Sequence, residues 1–101
     1  MLACFSVIHL GAGESISRYV AKLVDIVEKS GLDYKLTSMG TMIEGSWDEV
    51  MAVIKKCHHA SRRVVPRVYT VISIDDRKGA KGRLEGKVKS VERVLGREVR
   101  K

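Results

Sequence analysis

The chain has 101 residues, of which 45% are hydrophobic, 31% charged and only 5% aromatic. That composition fits one domain over residues 1–101 with an aliphatic core, and it excludes a disordered or fibrous chain. Nineteen Lys/Arg against twelve Asp/Glu give a formal charge of +7, which raises the question of nucleic acid, while no apolar run is long enough to cross a bilayer.

The charge is unevenly placed. Residues 1–50 carry four Lys/Arg against seven Asp/Glu, net −3, and residues 51–101 carry fifteen against five, net +10. Such a block reads as solvated helical faces, or as a surface that meets acidic groups, including the acidic half of another copy. Cys4 and Cys57 have no disulfide or metal spacing and read as buried free thiols. The N-terminus has no basic start and no small-residue cleavage site, so a cytoplasmic protein without membrane insertion is expected.

Leu2 to Leu10 is a nearly continuous apolar run and predicts a buried strand, closed by Gly11-Ala12-Gly13. Ser15 is placed to cap an amphipathic helix to Ser30, with Ile16, Val20, Leu23 and Val27 at helical spacing and Gly31 as its stop. Asp33 to Leu36 and Thr41 to Glu44 then predict two strands meeting at Ser38-Met39-Gly40.

Ser46 predicts the next N-cap, with Asp48 and Glu49 in the first turn of a helix to about Arg63 that buries Val50, Val53, Ile54 and Cys57. Beyond Pro66, Arg67 to Asp75 alternates as a strand: Val68, Thr70, Ile72 and Ile74 on one face, Arg67, Tyr69, Val71 and Ser73 on the other. A charged loop with two glycines leads to a third helix marked by Leu84, Val88, Val91 and Leu95 and ended by Gly96.

The order β-α-β-β-α-β plus α predicts an α+β chain: a ferredoxin-like βαββαβ sandwich with an extra C-terminal helix. Two helices cover one sheet face. The other, carrying Tyr69 and Val71, calls for sheet-to-sheet association of two copies.

Several stretches together carry a resemblance to a known family. They are Phe5-Ser6-Val7-Ile8, Ser17-Arg18-Tyr19-Val20-Ala21, Met39-Gly40-Thr41-Met42-Ile43-Glu44-Gly45, Arg67-Val68, Ile74-Asp75-Asp76-Arg77 and Lys87-Val88-Lys89-Ser90-Val91-Glu92. Over nearly its whole length the chain resembles the small thiamine-binding protein family, long catalogued as conserved uncharacterised proteins. His9 departs from it, standing where proline is common. The resemblance implies a ferredoxin-like fold and a dimer of dimers, hence a homotetramer. It also implies binding of thiamine or its hydroxymethylpyrimidine half, in thiamine transport or salvage.

Binding an aminopyrimidine requires in-plane donors and acceptors and an apolar slot. The stretch from Thr37 to Gly45 supplies the candidates. Ser38, Thr41 and the backbone at Met39 and Gly40 offer polar edges, Met39 a soft wall, and Glu44 a carboxylate for the amino group or the thiazolium cation. Ser6, Ser15 and Thr70 join them from neighbouring elements. The same residues also suit turn hydrogen bonds and core packing. Arg77, Lys78 and Lys81 precede a helix N-terminus, which suits a phosphate; the loop reads equally as solvated or as a subunit contact.

Cys57-His58-His59 points in different directions on a helix, so no metal is expected there, and no cofactor is implied. His9 is the conceivable partner for a Cys57 nucleophile, but no acid, base and nucleophile set emerges, so no enzyme is expected. RNA-binding domains of this topology read bases through aromatics on one sheet face. Here Phe5 and Tyr69 lie on different faces, so no nucleic-acid partner is expected beyond salt-dependent adhesion. The alternative to a small-molecule-binding protein is a structural or regulatory oligomer that controls a protein partner.

Overall fold

A computed structural model describes residues 1–11, 16–79 and 82–100. The elements run β1 (Leu2–Leu10), α1 (Ile16–Lys29), β2 (Asp33–Thr37), β3 (Gly40–Glu44), α2 (Trp47–Arg62), β4 (Arg67–Asp75) and α3 (Arg83–Leu95). The strands form one antiparallel sheet in the order β2-β3-β1-β4. That is the expected α+β, ferredoxin-like arrangement with a C-terminal helix. Among the described residues, no helix is long and apolar enough to cross a membrane.

Local chemistry sets the boundaries. Gly31, at φ +76°, closes α1 and sends its N–H to the Glu28 carbonyl at 3.2 Å. Ser46 and Glu49 form a reciprocal capping box at the start of α2, with Glu49 N–H donating to Ser46 Oγ at 3.2 Å and Ser46 N–H to Glu49 Oε1 at 3.0 Å. These bonds hold the Glu49 carboxyl below its ordinary pKa. The Ser15 cap expected for α1 lies outside the described residues.

The core sits between the sheet and α1 and α2. Ala3 and Phe5 of β1, Ile43 of β3, Val27 of α1, and Val50, Val53, Ile54 and Cys57 of α2 are all buried in one cluster. β1 pairs along its full length with β4, from Leu2↔Asp75 to Leu10↔Arg67. It pairs with β3 only from Leu2↔Glu44 to Phe5↔Thr41. The segment Ser6–Leu10 therefore runs past the hairpin.

The expectation of one bare sheet face needs correction. α3 packs on β3 and β2. Lys35 Nζ bonds Glu85 Oε1 at 3.0 Å, and Lys35 and Glu44 both face away from α1 and α2. α3 thus covers the β2–β3 half of that face. The β1–β4 half keeps Ile8, Tyr69 and Val71 exposed, Tyr69 to 56%. Cys57 is buried as expected, whereas Cys4 is only half-buried, because it lies on this second face.

Candidate functional site

The hairpin between β2 and β3 turns in two residues, Ser38 and Met39, between the pair Thr37↔Gly40. Thr37 holds the turn: its Oγ1 donates to the Gly40 carbonyl at 2.7 Å and accepts the Met39 N–H at 3.2 Å. The tip is tied to β1 by Ser6, whose Oγ donates to the Met39 carbonyl at 3.0 Å. Close approach is possible because residue 40 is glycine. A Cβ there would stand 2.9 Å from Ser6 Oγ, 3.0 Å from the Phe5 carbonyl oxygen and 3.1 Å from Cys4 Sγ.

Between this tip, β1 and α1 lies a cavity of about 210 Å³. Phe5, Val7, Val20, Leu23, Val24 and Leu36 form its apolar side, and Ser6, Thr37, Ser38, Met39, Gly40 and Thr41 its rim. The arrangement follows from sheet order. β3 neighbours β1, so Thr41 stands opposite Phe5, and the inner face of α1 closes over both. The Ser38 and Thr41 hydroxyls make no hydrogen bond among the described residues and are available to a ligand.

The structure divides the expected site residues. Ser6, Ser38, Met39, Gly40 and Thr41 meet at the cavity. Met39 lines the rim and is 87% exposed, at the tip of the turn. Glu44 lies elsewhere. Thr41 and Glu44 are three residues apart on one strand and therefore point to opposite sheet faces. The Glu44 carboxylate accepts the backbone N–H groups of Arg83 at 2.8 Å and Leu84 at 3.3 Å. It supplies the cap that Gly82, the residue at the N-cap of α3, cannot provide.

Thr70 is also apart from the cavity: its Oγ1 is 2.6 Å from His58 Nδ1, linking β4 to α2. Arg77 and Lys78 are exposed, and Lys81, like Ser15, lies outside the described residues. The α3 amides suited to a phosphate already hold the Glu44 carboxylate, so a phosphate there would meet a negative charge.

The apolar side of the cavity was not singled out as a site in the sequence. Val20 and Leu23 read there only as the stripe of an amphipathic helix. Phe5 opposite Thr41 becomes visible once the order β3-β1 is known.

Two other groups bear on chemistry. Cys57 is buried, its Sγ 3.9 Å from the Leu23 carbonyl, and burial pushes its pKa up to about 11. The thiolate needed for attack is scarce at neutral pH. His9 stacks on Tyr19 with ring centroids 4.8 Å apart and is 8% exposed, with neither ring nitrogen hydrogen-bonded among the described residues. Burial lowers its pKa. Cys57, His58 and His59 diverge, to the core, to Thr70 and to the surface. No group of three or more His, Cys, Asp or Glu among the described residues is arranged to hold a metal ion.

Comparison with known proteins adds to this geometry. Residues 3–92 match the family described as "Thiamine-binding protein". UPF0045 protein Mb1933 of Mycobacterium bovis is 41% identical, covering 94% of this chain and 94% of its own. UPF0045 protein MJ1052 of Methanocaldococcus jannaschii is 35% identical over 90% of this chain and 91% of its own. A crystal structure of MJ1052, called a hypothetical protein, superposes with a TM-score of 0.82 at 36% identity, covering 89% of this chain and 93% of that one. A candidate thiamine biosynthesis or salvage protein of Thermotoga maritima superposes with a TM-score of 0.79 over 89% of this chain and 96% of its own. At 18% identity it shares the fold alone.

Proposed function

This chain belongs to the thiamine-binding protein family, and we propose on that premise that it is a non-enzymatic binding protein for thiamine or its hydroxymethylpyrimidine moiety. The site is the cavity at the hairpin tip. The observation that carries the reading is the pairing of unengaged Ser38 and Thr41 hydroxyls with an apolar side made by Phe5, Leu23, Val24 and Leu36. An aminopyrimidine ring has that division: polar atoms around its edge and an apolar face.

Size favours the smaller half. A volume of about 210 Å³ is below the roughly 300–1,000 Å³ of sites for drug-sized ligands. One ring with its hydroxymethyl arm suits it better than the two rings of thiamine. The protein acts as a homo-oligomer, a dimer of dimers, in transport or salvage of the vitamin. The exposed Ile8, Tyr69 and Val71 of the sheet support association of copies, as apolar residues on an uncovered face do.

Calorimetric titration with hydroxymethylpyrimidine, thiamine and thiamine phosphate tests the reading. Saturable binding with hydroxymethylpyrimidine equal to or ahead of thiamine is expected. An absence of heat and of thermal shift with all three would overturn it.

A further inference from the structure

α2 has two faces of different character. Val50, Val53, Ile54, Cys57 and Ser61 are buried inward. Outward, Ala52, Lys55, Lys56, His59, Ala60 and Arg63 follow one another at helical spacing. With Ile26 of α1 they line a groove of about 470 Å³ that shares no residue with the hairpin cavity.

The charge of this region has one sign. Between Glu49 and Asp75 the sequence holds Lys55, Lys56, Arg62, Arg63 and Arg67 and not one Asp or Glu. The ion pairs among the described residues are Lys29–Asp25 and Lys35–Glu85, and neither draws on this set. The helix dipole accounts for Arg62 and Arg63 at the end of α2, and Arg62 Nη1 also donates to the Val65 carbonyl at 3.3 Å. It does not account for Lys55 and Lys56, because its influence fades within the last turn.

The floor of the groove is apolar: Ile26, Ala52 and Ala60. A phosphodiester backbone would use the charges and leave that floor idle. Among the described residues His59 is the one ring in the groove on which a base could stack, where single strands use successive aromatic platforms. A second copy offers one adjacent acidic pair, Asp75 and Asp76 at the end of β4, and otherwise carboxylates that are engaged or scattered. Of the carboxylates described in residues 1–50, Asp25 is paired, Glu44 caps α3 and Glu49 closes its capping box. Glu28, Asp33 and Asp48 lie on three different elements.

We propose that the outward groove between α1 and α2 docks an acidic, amphipathic peptide segment of a partner protein. Its carboxylates meet Lys55, Lys56 and Arg63, and its small apolar side chains rest on Ile26, Ala52 and Ala60. The proposal does not depend on what the hairpin cavity binds.

The test is fluorescence anisotropy on the intact oligomer with a labelled helical peptide of leucine, alanine and glutamate. A glutamate-only peptide of equal charge and a single-stranded oligothymidylate serve as competitors. The amphipathic peptide is expected to bind saturably, about fivefold or more ahead of the glutamate-only peptide, since the floor contributes. The double variant Lys55→Glu/Arg63→Glu, and the milder Arg63→Ala if the double variant folds poorly, should weaken it, the double variant by about tenfold or more. Absence of saturable binding, binding unchanged in the variants, or equal affinity for both peptides would overturn the proposal. Tighter binding of oligothymidylate would reassign the groove to nucleic acid. Loss of self-association in the double variant, read by sedimentation, would reassign it to a second copy.

Discussion

The carboxylate of Glu44, at the end of β3, accepts the backbone N–H of Arg83 at 2.8 Å across 39 positions of sequence. With Leu84 N–H as its second donor, it is a helix cap supplied by a strand. α3 has no fully buried residue, so this contact and Lys35–Glu85 are prominent among those that seat it. Glu44→Ala is expected to loosen α3 by about 1 kcal/mol, read as faster hydrogen exchange of its amides. Glu44→Gln keeps one acceptor oxygen and should lose less. Affinity for hydroxymethylpyrimidine should stay the same in both; a loss in a folded variant would return Glu44 to the ligand site.

Thr41→Val removes a hydroxyl at nearly constant volume on the rim of the cavity. Stability should change little, while hydroxymethylpyrimidine affinity falls by about fivefold, the worth of one hydrogen bond. Calorimetry on the variant reads this directly, and an unchanged affinity would take Thr41 out of the polar edge.

Gly40→Ala places a methyl group 3.0 Å from the Phe5 carbonyl oxygen, a backbone atom that cannot swing aside. A loss of about 1–3 kcal/mol is expected from this overpacking, measured as a lower denaturant midpoint. The same change should detach the tip from β1 and reduce ligand binding.

His9 gives a pH dependence whose sign is fixed. Burial lowers its pKa below the ordinary 6.5, so the folded chain favours the neutral ring. The unfolded chain takes up the proton first as pH falls. Stability is therefore full above 6.5 and declines as pH drops below it toward the lowered folded value. His9→Leu should remove that component, seen as a smaller fall in stability than the native chain shows between neutral pH and mild acid. Equal falls in both would show that His9 contributes nothing.

Cys57, with its pKa pushed up to about 11 and its side chain in the core, should resist iodoacetamide at neutral pH until the protein unfolds. Cys4, half-buried on the other sheet face, should be the first thiol labelled. Mass spectrometry of partly labelled protein distinguishes the two.

Much of the fold was legible because each element has a plain periodicity. The alternation from Arg67 to Asp75 gave β4 with its observed limits, and Ser46 with Glu49 gave the start of α2. The place of α3 was not legible. A stripe of Leu84, Val88 and Val91 says that a helix packs, and not on which face. The grouping of residues at the candidate site was half legible for a related reason. Hydroxyls gathered around a turn pointed to the hairpin tip, but the run from Thr37 to Gly45 was read as one surface. A strand alternates, and that separates Thr41 from Glu44. The apolar side of the cavity comes from α1 and β1, and only the sheet order brings them to the hairpin.

β3 is five residues long and serves different neighbours on its two sides. Thr41 looks toward the cavity under α1, and Glu44 toward the start of α3. Because the side chains alternate, the Thr41 side chain makes no contact with the cap that Glu44 gives α3. Position 41 is thus free to change without losing the seat of the last helix. A one-residue insertion in the Ser38-Met39 turn is another matter: any register slip it caused would exchange the two sides, so the length of that turn is under tighter constraint than its composition.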